Sequence, residues 1–243
     1  MGLVLFHKNL KLAFSDASDG SMASGGGAPS TPDHSRNADV FLKKHEFPLE
    51  RSRIFVTYDD EREYIDIVRV DDENAGSDIK ADALYTTDVG KVLTLPVADC
   101  VATVVYDPVA GMLGLLHLGR HSSVAGLIEH FILEVADRLG SDPRDWHVWM
   151  SPSLRQINDR LDFFGPADTD EWRDFVRREP DGFYVDTVGH NRARFVRAGV
   201  PEESIIISPD DTFDNAKYFS HRAANVAKND ARQGRMMLSV CII

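Results

Sequence analysis

The chain has 243 residues and a formal net charge of −12, and 43% of its residues are hydrophobic. This size and composition are typical of a globular protein with a well-filled core. The acidic surplus argues against a nucleic-acid-binding protein, which needs a basic face toward the phosphates, and against adhesion to an anionic membrane.

Membrane insertion and secretion are also disfavoured by the sequence. No apolar run approaches the ~20 residues needed to span a bilayer. The first residues lack the ordered charged, apolar and small-residue regions of a signal peptide. The only cysteines are Cys100 and Cys241, and we interpret Cys241, within the last apolar run, as a buried inert thiol. These features predict a cytoplasmic protein.

Short strands and a few helices alternate along the chain. The Ser-, Gly- and Pro-rich segment at residues 15–35 is predicted to be a functional flap or a flexible loop. Strands are predicted at residues 3–6, 11–14, 54–58, 64–70, 83–86, 92–99, 101–106, 112–116, 146–150, 205–208 and 236–242. Helices are predicted at residues 37–44, 123–139, 169–178 and 186–198. Several neighbouring strands connect by hairpins, which favours mixed sheets of α+β type in one domain covering residues 1–243.

The most informative residues are Cys100 and His117, because three successive apolar strands deliver both to one place. A hairpin loop at residues 107–110 would place Tyr106 opposite Gly111 and Cys100 opposite His117. Directly opposed residues have Cβ atoms about 4.5–5.5 Å apart. That spacing suits two ligands of one zinc or copper ion, or a nucleophilic thiol and its base. A third interpretation is a buried thiol beside a histidine that only satisfies a backbone group.

Two polar clusters accompany this pair. Arg120, His121 and Ser122 precede the best-defined helix, where free backbone N–H groups favour an anion. The alternative is that Ser122 only caps the helix. The second cluster is Ser220-His221-Arg222, followed by Gly234-Arg235, which could hold a phosphate or a ribose or be an ordinary surface loop.

Five segments of the chain resemble a bacterial family known as multicopper polyphenol oxidoreductases or laccase-domain proteins. The family is also called peptidoglycan editing factor and, more recently, purine nucleoside phosphorylase. The segments that carry the resemblance are ADALYTTDVGKVLTLPVADC, GLLHLGRHSSVAGLIEHFILE, DTVGHNRARFVRAGV, YFSHR and QGRMMLSVCI.

The resemblance implies a layered α/β/β/α fold with mixed sheets. It also implies a zinc or copper site of two histidines and one cysteine, on which Cys100 and His117 supply two ligands. The implied activity is phosphorolysis of purine nucleosides to base and ribose 1-phosphate, with adenosine deamination in several members. A purine nucleoside and phosphate would then be the partners, in a monomer or a homodimer.

The sequence departs from the family pattern at several positions. Glu61 stands where the first metal-binding histidine is expected, and carboxylate is an acceptable zinc ligand. The Gly-Trp-Arg-Gly motif becomes Gly119-Arg120-His121-Ser122, so an arginine is kept one position early. An arginine expected in the N-terminal strand-loop region is replaced within the segment FSDASDG, and Arg36 is interpreted as a substitute for another arginine of the family.

These features lead to three hypotheses. The first is a zinc-dependent purine nucleoside phosphorylase or deaminase, with copper as an alternative metal. Cys100, His117 and Glu61 would hold the metal, while Arg120, His121, Ser122, His221, Arg222 and Arg36 would bind phosphate or substrate. The second is a metal-free Cys–His hydrolase or amidase. The third is a non-catalytic relative that binds a ligand.

Overall fold

A computed structural model of the protein describes residues 2–24, 30–59, 61–228 and 230–243. Most of its regular structure is β-sheet. The strands are β1 Gly2–Leu3, β2 Leu10–Phe14, β3 Arg51–Ile54, β4 Ile67–Arg69, β5 Asp78–Ile79, β6 Ala83–Thr86, β7 Val92–Val97, β8 Val101–Asp107, β9 Met112–Leu118, β10 His147–Met150, β11 Arg160–Leu161, β12 Val176–Glu179, β13 Gly182–Val185, β14 Ile205–Ile207 and β15 Met236–Ile242.

No α-helix among the described residues is as long as the helix predicted at residues 123–139. They are α1 Pro32–Lys44, α2 Arg120–Ala125, α3 Leu127–Phe131, α4 Asp137–Leu139, α5 Thr187–Arg197 and α6 His221–Ala227. A π-helical turn, Ile132–Ala136, joins α3 to α4. In the part of the chain that the structure describes, no helix has the length and apolar character required to cross a membrane.

The strands pair into three sheets. The first sheet has the order β1-β2-β15-β7-β3-β5, the second β14-β10-β8-β9-β6-β4, and a small third sheet β11-β13-β12. Both large sheets are mixed. In the first, β3 runs parallel to β5 and β7 while β15 is antiparallel to its neighbours. In the second, the β10–β14 and β4–β6 pairs are parallel and the β8–β9 hairpin is antiparallel.

The two large sheets pack face to face, with helices on their outer sides. The layer between the sheets is filled by apolar side chains from β2, β7 and β15 on one side and from β8, β9 and β10 on the other. Helix α1 covers the outer face of the first sheet. Helices α3 and α5 cover the outer face of the second sheet. The predicted α+β fold, layered α/β/β/α with mixed sheets, is confirmed.

Two of the predicted helices differ from the structure, one because a glycine ends it early and the other because part of it pairs as a strand. The predicted helix at 123–139 begins earlier, at Arg120, and is interrupted at Gly126, whose φ of 80° ends α2 in the left-handed conformation. The predicted helix at 169–178 is wrong. Its last three residues belong to strand β12, which pairs Val176 with Val185 of β13, and this cross-strand pairing outweighs the local helical pattern.

The predicted flap at residues 15–35 falls partly outside the described residues, since residues 25–29 are not described. On its N-terminal side, Met22 is buried and its N–H donates to the Arg235 carbonyl at 3.0 Å. On its C-terminal side, α1 begins at Pro32 with Thr31 as its N-cap. Threonine followed by proline is a known helix-start signal, which explains why the helix begins before residue 37.

Candidate functional site

A cavity of about 740 Å³ lies where β7, β8 and β9 approach the starts of α2 and α6. Its volume is in the range of small-molecule sites. Of the predicted site residues, those that line it are Cys100, His117, Arg120, His121, Ser122, His221 and Arg222. The topology therefore brings both predicted polar clusters to the Cys–His pair.

The register of the β8–β9 hairpin differs by two residues from the predicted one. Asp107 pairs with Met112, and His117 lies opposite Ala102 and not opposite Cys100. The Asp107 carboxylate accepts hydrogen bonds from the N–H groups of Val109 and Ala110, at 2.7 and 3.0 Å, which stabilises a later turn. Because side chains alternate with period two, the shift leaves Cys100 and His117 on the same face.

Cys100 and His117 meet beside Gly119. A Cβ atom on Gly119 would lie 3.1 Å from Cys100 Sγ, 3.2 Å from His117 Cε1 and 3.4 Å from His117 Nε2. Because Gly119 has no side chain, a small open space remains between the Cys100 sulfur and the His117 imidazole. The Ser122 hydroxyl fixes this turn, because it donates to the His117 carbonyl at 2.6 Å and accepts from the Gly119 N–H at 3.1 Å.

Both groups are neutral in this environment. Burial, with a smaller contribution from the Asp99 carboxylate, raises the pKa of the Cys100 thiol to about 11. Burial, together with the positive charges of Arg62 and Arg235, lowers the pKa of His117 to about 4. At neutral pH the pair is thus a thiol and an uncharged imidazole, not a thiolate and an imidazolium.

Asp99 holds Cys100 in place. Its backbone φ is 73°, a left-handed conformation that few residues other than glycine adopt. The carboxylate accepts from Thr212 Oγ1 at 2.7 Å and from the N–H of Arg222 at 2.8 Å. Strained backbone of this kind is concentrated at functional sites. The sequence reasoning did not use Asp99, although its position directly before Cys100 was a usable signal.

Arginines outnumber carboxylates in the cavity, which Asp99 and Asp159 also line. Arg53, Arg120, Arg222 and Arg235 all line it. Arg53 pairs with Asp78, and Arg222 donates to Asp159 at 3.0 Å. Among the described residues, neither Arg120 nor Arg235 forms a salt bridge, although the charge of Arg120 opposes the rise that burial causes in the pKa of Asp159. Two such cations in one cavity favour the binding of an anion.

The rings of Tyr58, Tyr64 and His121 contact one another at the cavity. The ring of His121 stacks on that of Tyr64, with centroids 4.8 Å apart and an interplanar angle of 18°. Tyr58 approaches His121 edge-on at 5.9 Å. Neither tyrosine was predicted to belong to the site. Tyr58 lies at the end of one predicted strand and Tyr64 at the start of another. Because tyrosine is common in strands, the sequence pattern did not indicate that either side chain belongs to a site.

Two predicted site residues lie elsewhere. Glu61 is exposed and does not line the cavity, and its backbone N–H donates to the side chain of Asp59. Arg36 is on α1, where its exposed guanidinium pairs with Asp33 at 3.0 Å.

The donor set for a metal is incomplete within the described part of the chain. A catalytic zinc site needs three protein ligands. Cys100 and His117 supply two suitable donors, while Glu61 lies outside the cavity. No group of three or more His, Cys, Asp or Glu residues suited to a metal ion occurs in residues 2–24, 30–59, 61–228 and 230–243. The described residues therefore do not fit a three-ligand centre.

The chain is similar to proteins named for purine nucleoside phosphorolysis. It is 31% identical over 166 residues to "Purine nucleoside phosphorylase YlmD" of Geobacillus stearothermophilus, covering 64% of this chain and 58% of that protein. It is 25% identical over 168 residues to "Purine nucleoside phosphorylase" of Bacteroides thetaiotaomicron, covering 66% and 60%. The matches thus span less than two thirds of these relatives' length.

Two solved structures share the whole fold. One is a hypothetical protein YfiH of Bacillus licheniformis, with a TM-score of 0.82 and 21% identity over 100% of this chain and 97% of that one. The other is YlmD of Geobacillus stearothermophilus, with a TM-score of 0.79 and 23% identity over 100% and 96%. At these identities the likeness concerns the fold.

The sequence model of one protein family, described as "Multi-copper polyphenol oxidoreductase laccase", matches residues 35–243 and so covers most of the chain. This range includes the Cys100–His117 pair and both polar clusters. The resemblance inferred from the sequence is thereby confirmed: the chain belongs to the multi-copper polyphenol oxidoreductase laccase family.

Proposed function

We propose that this protein is a purine nucleoside phosphorylase. The observation that carries the proposal is the presence of Arg120 and Arg235, cations without a salt bridge among the described residues, in the same cavity as Cys100 and His117. Such an arrangement suits an inorganic phosphate beside a neutral polar substrate. The names of the relatives give the proposal independent support.

The reaction needs no redox partner. An oxygen of phosphate forms a bond to C1′ of the ribose while the bond from C1′ to the purine nitrogen breaks. The electron pair of that bond leaves with the base, which takes up one proton. The products are the free purine and ribose 1-phosphate. Stabilising the phosphate charge and positioning it in line with the leaving base are the main tasks of the protein.

The residues of the cavity divide these tasks. Arg120 and Arg235, with His221 at the start of α6, would hold the phosphate. The uncharged His117 imidazole would accept a hydrogen bond from a ribose hydroxyl, and the Cys100 thiol would remain protonated beside it. Arg222 is engaged by Asp159 and by the Arg160 carbonyl, so we assign it to holding Asp99 and the α6 end in position.

The proposal is tested by incubating purified protein with inosine, guanosine or adenosine and phosphate, and by quantifying free base and ribose 1-phosphate chromatographically. Arg235→Gln is expected to raise KM for phosphate by roughly tenfold or more, since a charged hydrogen bond contributes about 1.5–3 kcal/mol. Arg178→Gln is the matched control, because Arg178 lies outside the cavity and pairs with the exposed Asp168. Absence of turnover with all three nucleosides would refute the proposal.

Adenosine deamination is included in the proposal as a second activity. The deaminase activity is measured in the same assay, with phosphate left out, as the amount of inosine formed from adenosine. Nucleoside binding in calorimetry without any product would instead favour a non-catalytic relative.

The metal requirement is tested separately by elemental analysis of freshly purified protein. Because no group of three or more His, Cys, Asp or Glu residues among the described residues could hold a metal ion, we expect clearly less than one zinc or copper ion per chain. One equivalent would show that a further ligand completes the site.

A metal-free Cys–His hydrolase is the competing enzyme hypothesis, and it requires a reactive thiolate. The raised pKa of Cys100, about 11, disfavours it. After treatment with a chelator, alkylation of Cys100 by iodoacetamide should be slow near neutral pH and accelerate as pH rises toward 11. Cys100→Ala is the control, since Cys241 is buried. Rapid labelling at neutral pH would revive the hydrolase hypothesis.

A further inference from the structure

We propose that Tyr58, Tyr64 and His121 form an aromatic surface on which the purine base of the substrate stacks. This inference rests on the proposed function and specifies which part of the cavity recognises the base. It assigns substrate specificity to residues that lie outside the Cys100–His117 pair and outside the arginine cluster.

The three rings form a continuous aromatic group at the cavity. Tyr64 and His121 are stacked at 4.8 Å, and Tyr58 meets His121 edge-on at 5.9 Å with an interplanar angle of 63°. All three residues line the cavity. The Tyr64 ring already has His121 stacked on it at 4.8 Å and the Arg62 guanidinium over it at 5.0 Å. Tyr58 and His121 are therefore the exposed rings on which a planar base can stack, with little dependence on base identity, and Tyr64 supports His121 from behind.

The rings are accessible to a ligand. Tyr58 is 52% exposed although it lines the cavity, and His121 is also exposed. A large aromatic side chain left open to water at a concave site is an apolar area that a ligand can cover.

Hydrogen bonds to Asp59 hold Tyr64 in a strained backbone conformation. Its φ is 60°, which is an outlier for a bulky residue. The Tyr64 hydroxyl donates to the Asp59 carbonyl at 3.0 Å and accepts from the Asp59 N–H at 3.2 Å. Strain of this kind persists where a site requires a particular side-chain direction.

A buried arginine anchors the segment that carries both tyrosines. The Arg62 guanidinium lies 5.0 Å from the centroid of the Tyr64 ring. It donates to the Thr57 carbonyl at 2.8 Å and to the fully buried Asp82 at 2.6 Å. The aromatic surface is therefore preformed, which reduces the entropic cost of binding a base.

The position of this surface agrees with the geometry of the reaction. Tyr58 and Cys100 line the same cavity, and a charge on the Cys100 sulfur would raise the pKa of Tyr58. Three residues, Leu118, Gly119 and Arg120, join His117 to His121 in sequence. With the base on the aromatic surface, the ribose of the same nucleoside would lie beside Cys100 and His117. The phosphate would then lie beside Arg120 and Arg235.

The test compares Tyr58→Leu, Tyr64→Leu and the ring-retaining Tyr58→Phe with wild-type protein. Both leucine variants should raise KM for inosine by roughly five- to hundredfold, as expected for a lost stacking contact, with KM for phosphate unchanged. Tyr58→Phe should retain most of the affinity. Tyr184→Leu is the matched control, because Tyr184 is on β13 and does not line the cavity.

Calorimetry with hypoxanthine alone separates this inference from the proposed function. Loss of hypoxanthine binding in the leucine variants supports the aromatic surface, even if wild-type protein turns over no nucleoside. Normal turnover with an unchanged nucleoside KM in both leucine variants overturns it and leaves the phosphorylase intact. Failure of wild-type protein to bind any purine also overturns it.

Discussion

Gly119 illustrates how one residue without a side chain shapes the site. Its backbone has ordinary extended dihedral angles, with φ at −87° and ψ at 177°. An alanine would therefore meet no backbone penalty. The added Cβ would instead lie 3.1 Å from Cys100 Sγ and 3.2 Å from His117 Cε1. Whether these neighbours move apart decides the effect on activity.

We expect Gly119→Ala to lower kcat/KM for the nucleoside by roughly ten- to hundredfold while the protein stays folded. Displacement of reacting groups by about 1 Å is sufficient for a loss of that size. Steady-state kinetics and circular dichroism measure the two effects. Gly165→Ala serves as the control, because its Cβ would make only an ordinary contact of 3.6 Å with Phe163. Full activity in Gly119→Ala would argue against chemistry between the two side chains.

The structure brings some of the predicted site residues together in one cavity and leaves others outside it, for a physical reason. Cys100 and His117 share a face because adjacent strands alternate regularly, which is visible in a local pattern. Glu61 was assigned to the site by sequence alignment, but the structure turns this exposed residue away from the cavity. Tyr58, three positions earlier, lines the cavity instead. The direction of a loop side chain depends on its tertiary contacts.

At the scale of elements, the segment between β3 and β4 depends on the Arg62–Asp82 ion pair. The side chains of Arg62 and Asp82 are 6% and 0% exposed. Burial raises the pKa of Asp82 even though Arg62 opposes that shift. Removing one partner from such a buried pair leaves an uncompensated charge.

Arg62→Met is expected to lower the free energy of unfolding by about 3–5 kcal/mol, as for other broken buried pairs. Urea unfolding monitored by circular dichroism measures the change. The double variant Arg62→Met/Asp82→Asn should recover a large part of the loss, because the carboxylate is then absent. Arg178→Met, at an exposed pair with Asp168, should cost about 0–1 kcal/mol. An equally small effect at Arg62 would contradict the anchoring role.

Helix α5 packs against the segment before β12 through a stacked pair of rings. His190 and Trp172 are 3.6 Å apart at an interplanar angle of 8°. Both His190 nitrogens are buried without a hydrogen-bond partner among the described residues. Burial and the nearby Arg194 lower the pKa of His190 to about 4. The folded state therefore keeps this imidazole uncharged.

This shift predicts an acid-sensitive fold. Because the unfolded histidine has a pKa of 6.5, the stabilisation is complete above that pH and is lost as pH falls toward 4. His190→Phe should remove about 3 kcal/mol of this pH dependence, and His117 should account for part of the remainder. Denaturant unfolding measured between these pH values tests it. An unchanged slope in His190→Phe would show that His190 is not the group responsible.

At the scale of the whole molecule, one apolar layer joins the two large sheets. Phe14 of the first sheet lies 6.2 Å from Trp149 of the second sheet, and also 6.2 Å from Tyr218. All three side chains are buried. Neither sheet can separate from the other without exposing this layer to water.

We therefore predict one cooperative unfolding transition, as expected of a single domain. Tryptophan fluorescence and far-ultraviolet circular dichroism should give coincident curves in denaturant. Phe14→Ala should move both curves together and lower the free energy of unfolding by about 3–5 kcal/mol. Two separated transitions would contradict the single-domain interpretation of residues 1–243.

The sequence by itself determined the mixed-sheet class, the β8–β9 hairpin and the shared face of Cys100 and His117. These features follow from alternation and turn residues that act over a few positions, and a slip of two residues does not change them. The tertiary structure alone decided that residues 176–179 form a strand, and that Tyr58, Asp99 and Arg235 meet at one cavity. Such features depend on pairing and packing between segments far apart in the chain, whose energies no local pattern contains.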